Sequence, residues 1–288
     1  MVKIKTYYLK QGQSSIFKTI SLNDEVCEIY NLFENTKPKK IEKIIKKLKR
    51  NGINAVVISK EIHLITDFVN SLSSHEISIF DGKWLGHYLI LDIIHKLVEK
   101  GKILDKDEVA ILANDLTEEV KGSINELVKK FKKVKIITNH AEKFKKLEND
   151  LFQYQGISII ISNNKKKSLL KSGLIINFDF VEEEINKYNI NENAIIISID
   201  EKIKINKKRF SGIIITDYEV KVNEELGNIM IQDEEFYKKE IFEEKIYNEL
   251  MGRTQLSEAN CSKYEIVRNI IKENKIEIDE IYGLNGEI

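Results

Sequence analysis

Proline and cysteine are nearly absent. One proline in 288 residues leaves no room for a proline-rich linker, and no low-complexity linker of another kind interrupts the chain. The two cysteines, Cys27 and Cys261, lie far apart and without metal-ligand spacing, so they are read as free thiols, and the chain as suited to a reducing cytoplasm. No stretch approaches the roughly 18–20 uninterrupted apolar residues that span a bilayer. The N-terminus alternates apolar residues with lysine and does not resemble a signal peptide. Charge of one sign is also missing. Lys plus Arg and Asp plus Glu both number 46, so the whole-chain balance gives no reason to expect a nucleic-acid or membrane partner. A Gly-x-Ser-x-Gly elbow and a Walker-type loop are both lacking, which removes the signatures of α/β-hydrolase and P-loop chemistry.

What is present is alternation. Residues 109–113 are a continuous apolar run, the pattern of a strand buried on both faces. Val120, Ile124, Leu127, Val128 and Phe131 follow at helical spacing and form one stripe. Residues 134–138, 157–161 and 174–178 read as further strands, and Phe144, Leu147, Leu151 and Phe152 mark a helix between the first two of these. Residues 194–199 and 212–216 extend the series. Right-handed crossovers would make this a Rossmann-like parallel sheet.

Upstream, residues 2–9 and 26–32 read as strands, Pro38 opens a helix carrying Ile41, Ile44, Ile45 and Leu48, and residues 55–59 form a buried strand. The opening helix is heavily basic. Acidic residues elsewhere balance it, so it is read as an exposed face. Residues 62–72 and 84–98 read as helices, the second apolar on most sides and placed as a connecting helix. Residues 234–251 and 264–273 are terminal helices, and 276–282 an edge strand. The expected class is α/β, with two α/β domains, the second Rossmann-like, and C-terminal helices. The expected boundaries are 1–100 with the connecting helix, 101–232, and 233–288.

Two short stretches carry a family resemblance. Gly52-Ile53-Asn54-Ala55-Val56-Val57-Ile58-Ser59-Lys60-Glu61 resembles the shikimate dehydrogenase strand that ends in the family's catalytic lysine. Asp81-Gly82-Lys83-Trp84-Leu85-Gly86 resembles its Asp-Gly-x-Gly stretch, whose aspartate pairs with that lysine. The layout is also similar to glutamyl-tRNA reductase and methylene-tetrahydrofolate dehydrogenase. The resemblance spans residues 50–180. It implies an NAD(P)-dependent oxidoreductase in which Lys60 and Asp81 form the proton-transfer pair. On residue type alone the two read as a surface lysine and a turn aspartate.

The chain departs from that family where a cofactor would be gripped. After the first Rossmann strand it has Ala113-Asn114-Asp115-Leu116-Thr117-Glu118, with no glycine before Gly122. Glycine there would let the backbone approach a pyrophosphate at the helix N-terminus. Asp115, Glu118 and Glu119 would instead repel it, by on the order of several kcal/mol in a partly desolvated site. The second strand ends in Thr138-Asn139-His140, without the arginine that would hold a 2′-phosphate, and the family's proline before the lysine is missing.

Any ligand of this sheet is expected beside Asn114, Asp115, Thr117, Asn139, His140 and Ser162, at the carboxyl ends of the strands. The five histidines are read as satisfied core or cleft residues. The resulting expectation is a degenerate, non-catalytic dehydrogenase-like protein that serves as a scaffold or binds a metabolite or protein partner. No cofactor, metal, nucleic acid or membrane is expected, and a homo-oligomer is compatible with the reading. The alternative is a divergent shikimate dehydrogenase-type oxidoreductase that uses NAD or NADP with Lys60 and Asp81.

Overall fold

A computed structural model describes residues 6–11, 17–22, 25–32, 38–103, 107–221, 236–254 and 262–288, with side chains from residue 39 onward. Cys261 and residues 222–232 of the expected Rossmann domain lie outside these. The chain divides into two compact units, Met1–Leu85 with Val220–Glu277 and Gly86–Glu219 with Ile278–Ile288. Three consecutive segments were expected. In this division Val220–Glu277 groups with the first unit and Ile278–Ile288 with the second.

The first unit holds strands β1 (Thr6–Gln11), β2 (Phe17–Leu22), β3 (Glu25–Leu32), β4 (Ala55–Ile58) and β5 (Ser78–Ile79), in the order β2-β3-β1-β4-β5. β1 runs parallel to β3 and β4, and β4 parallel to β5. β2 pairs antiparallel with β3 as a hairpin that the sequence reading did not foresee. Helix α1 (Pro38–Arg50) starts on the proline, whose fixed φ suits a first turn. It stops at Gly52, whose φ of +73° lets Ile53 N–H reach back to Leu48 O at 3.1 Å. Ile44, Ile45 and Leu48 of α1 pack with Val56 and Ile58 of β4 in one core.

The expected 62–72 helix is two short ones, α2 (Lys60–His63) and α3 (Thr66–Ser74), and Phe68 and Leu72 of α3 join that core. The expected 84–98 helix is likewise broken, into α4 (Lys83–Tyr88) and α5 (Ile90–Glu99).

The second sheet follows. Its parallel strands are β6 (Glu108–Leu112), β7 (Lys133–Ile137), β8 (Ile160–Ser162), β9 (Leu174–Asn177), β10 (Ile195–Ser198) and β11 (Ile213–Lys221). They lie in the order β8-β7-β6-β9-β10-β11. Numbered from the first strand, that is 3-2-1-4-5-6, the Rossmann order. Strands β12 (Glu277–Gly283) and β13 (Gly286–Glu287) extend the far edge as an antiparallel pair. Helices α6 (Glu118–Leu127), α7 (Ala141–Gln155) and α8 (Glu182–Ile185) connect the strands. The fully buried strand β9 and the all-buried β10 explain the unbroken apolar runs of the sequence. Helices α9 (Lys238–Thr254) and α10 (Lys263–Glu273) belong to the first unit, and α10 opens on a capping box between Ser262 and Glu265. Among the described residues no helix is long and apolar enough to cross a membrane.

Candidate functional site

Strand order reverses between β6 and β9, where Leu112 and Asn177 stand side by side. In open α/β sheets the crevice beyond the carboxyl ends at such a point is where ligands sit. The loop after β6 leads into α6, whose N-cap Thr117 accepts from Val120 N–H at 3.3 Å. Its backbone amides are the donors a phosphate would need.

Two amides of the loop ahead of that cap, those of Asn114 and Asp115, are already engaged. Asn114 N–H lies 2.8 Å from both carboxylate oxygens of Asp179, and Asp115 N–H 2.9 Å from one of them. Burial pushes the Asp179 carboxyl up, the two backbone bonds pull it down, and the charges of Asp115 and Glu184 raise it further. Around this contact a second layer closes. Asn114 Nδ2 donates to both oxygens of Glu184 at 3.3 Å, Asn139 Nδ2 donates to the same carboxylate, and Asn139 N–H donates to Asn114 Oδ1 at 2.9 Å. Lys143 pairs with Asp115 and holds its carboxyl below the usual range.

The sequence-derived residues therefore separate. Asn114, Asp115 and Asn139 share one network. Thr117 is spent on the helix cap. His140 stands exposed at the start of α7, with its N–H on Thr138 Oγ1 at 3.0 Å. Ser162 Oγ bonds Ser168 Oγ at 2.9 Å and accepts from Asn164 N–H, apart from the network. The residues that sequence reasoning missed are Asp179 and Glu184. Their signal was a carboxylate immediately after the fourth apolar run and the acidic triplet 182–184.

The first unit has its own carboxyl edge, where Lys60 follows β4 and Asp81 follows β5. The two do not pair with each other. Asp81 accepts from Lys83 N–H at 3.0 Å and lies 3.6 Å from Lys83 Nζ, while Lys60 Nζ lies 4.8 Å over the Tyr237 ring. His63 Nε2 sits 2.9 Å from Glu240, a carboxylate only 2% exposed, and its ring meets Tyr237 edge-on at 5.6 Å. One turn further along α9, Glu243 accepts from Gly82 N–H at 2.7 Å and Leu85 N–H at 3.0 Å, tying down the start of α4. Gly82 is required: φ is +83°, and a Cβ would lie 2.7 Å from the Lys239 side chain.

Burial is the main cause that lifts both glutamates, with Asp81 adding repulsion. Glu240 is raised against the opposing pull of His63 and Lys239, and Glu243 reaches about 7. The other half-buried histidines are also satisfied, His87 by Asp200 at 2.9 Å and His75 by Ser71 O at 2.8 Å. Among the described residues no three potential ligands gather to hold a metal.

No family model matches the chain. A curated relative, the CRISPR-associated endoribonuclease Cas13a of Leptotrichia wadei (strain F0279), is 23% identical over 314 residues. The match covers 99% of this chain and 24% of that one, so the chain spans about a quarter of the relative's length. Solved structures similar to it include L-tryptophan dehydrogenase from Nostoc punctiforme, 12% identical with a TM-score of 0.32 over 86% of this chain and 68% of that one. The 5-ketofructose reductase of Gluconobacter sp. strain CHM43 is 10% identical, TM-score 0.32, covering 85% and 88%. A shikimate 5-dehydrogenase-like protein is 10% identical, TM-score 0.27, covering 93% and 98%. These likenesses are too distant to carry a function to this chain. Its own strand order establishes the Rossmann-type sheet.

Proposed function

We propose that this chain is a dehydrogenase-like Rossmann protein that does not catalyse, and that it acts as a scaffold or binds a metabolite or protein partner. One observation carries the reading. The Asp179 carboxylate takes the amides of Asn114 and Asp115, so an internal anion fills the seat a dinucleotide phosphate would use. A phosphate entering there would meet Asp179, Asp115 and Glu184, and would leave Asp179 without its donors. Calorimetric titration with NAD and with NADP tests this. No saturable heat is expected up to about 1 mM nucleotide, whereas a dissociation constant in the micromolar range would overturn the reading.

The second reading, an NAD(P)-dependent oxidoreductase using Lys60 and Asp81, draws on the carboxyl edge of the first unit. There the two residues follow adjacent parallel strands, with His63 and Glu240 near by. A hydroxyacid-dependent reduction of NAD or NADP that Lys60→Ala abolishes would establish it.

A further inference from the structure

Helix α1 divides its surface sharply. Ile41, Ile44, Ile45 and Leu48 are at most 5% exposed and form the inner face. Opposite them stand Lys39, Lys40, Lys43, Lys46, Lys47 and Arg50, all exposed. At 3.6 residues per turn these six cations occupy an arc of about 120°, and they run about 16 Å along the axis. Among the residues of α1 no carboxylate lies within the arc. Glu42 falls on its border, where it pairs with Lys46 at 3.1 Å, and on the same side Lys49 pairs with Glu76 at 3.8 Å. Lys39, Lys43 and Arg50 have no ion-pair partner among the described residues.

This arrangement works against the helix that carries it. The first turn holds no acidic residue and two lysines, where the dipole disfavours cations. Like charges recur four residues apart (39 and 43, 43 and 47, 46 and 50), and each such pair destabilises a helix. The chain as a whole is neutral, yet this face carries six cations.

We propose that the outer face of α1 binds the phosphodiester backbone of a nucleic acid, without reading its sequence. The charge is complementary and repeats at every turn, and five of the six cations are lysines, which meet phosphate as point charges. A membrane surface fits less well, because binding there draws on apolar side chains that insert, and those of α1 are buried in the core. The inference is independent of the dinucleotide seat in the second unit. It names a kind of partner that whole-chain neutrality argued against.

Fluorescence anisotropy with the intact chain tests it, using labelled duplex DNA, labelled single-stranded RNA, and vesicles containing phosphatidylserine. Binding to either nucleic acid is expected, and the stronger arm identifies the source. Affinity should fall steeply between about 50 and 200 mM salt, with a log–log slope of magnitude about 3 to 5. The neutralised variant Lys39→Gln/Lys43→Gln/Arg50→Gln should bind at least about tenfold more weakly at the lower salt, with the slope reduced by about 2 to 3. The variant Lys165→Gln/Lys166→Gln/Lys167→Gln, which loses the same charge elsewhere, should bind as the wild type does. Circular dichroism confirms that both variants keep their helix content. Absence of nucleic-acid binding, binding to vesicles alone, or equal loss in both variants would overturn the proposal.

Discussion

The carboxyl edges of the two sheets both hold carboxylates that accept backbone N–H groups, but they bury them to different depths. Beyond β6 and β9, Asp179 and Glu184 accept from Asn114, Asp115 and Asn139, and the loop that should face a ligand is bonded to its own chain. Beyond β4 and β5, two glutamates 2% exposed are held where water cannot solvate them, and their carboxyls are pushed up. The lesson is that backbone donors hold both Asp179 and Glu243, and that the deeper burial of Glu243 drives its carboxyl furthest, so it is the one that makes stability depend most on pH.

The largest expected effect sharpens that contrast. Glu243 titrates near 7 in the folded chain, against an ordinary 4.5 when unfolded. A raised folded value means its contribution is full below the unfolded value and is lost as pH climbs from 4.5 through about 7. The loss is roughly 3 kcal/mol. Urea denaturation of the wild type and of Glu243→Gln at about pH 5 and about pH 8 should show the wild type losing stability relative to the variant as pH rises. Parallel profiles would break the comparison.

Next in size is Asp179→Ala. It leaves two loop amides without their acceptor and should cost about 2 kcal/mol, read as a melting point several degrees lower. Thr117→Ala should cost about 1 kcal/mol through the lost cap and leave the pH profile unchanged. Lys143→Ala removes only an exposed ion pair, and its melting curve should superimpose on that of the wild type.

The Rossmann sheet was legible because parallel strands buried on both faces must be continuous apolar runs, as 109–113 and 174–177 are. The N-terminal hairpin strand 17–22, Phe-Lys-Thr-Ile-Ser-Leu, was not, since its short alternation lies between stretches read as polar break and turn. Asn114, Asp115 and Asn139 were found from the ends of those strands, but their shared acceptors, Asp179 and Glu184, were not. Nothing local distinguishes a carboxylate that folds back onto a loop from one in solvent. Glu240 and Glu243 were harder still. They lie on a helix of charged residues, and an ionisable side chain points outward by default. Their partners, His63 and Gly82, are more than 150 residues earlier in the chain, so only the fold brings them together. For α1, by contrast, the exposed basic face was legible from the spacing of Ile41, Ile44, Ile45 and Leu48.

The central claim is that Asp179 already occupies the phosphate seat. Hydrogen exchange at the Asn114 and Asp115 amides, followed with and without saturating NADP, measures it directly. Both amides should be protected in the free protein and unchanged by the nucleotide. Fast exchange in the free protein that NADP then suppresses would contradict it.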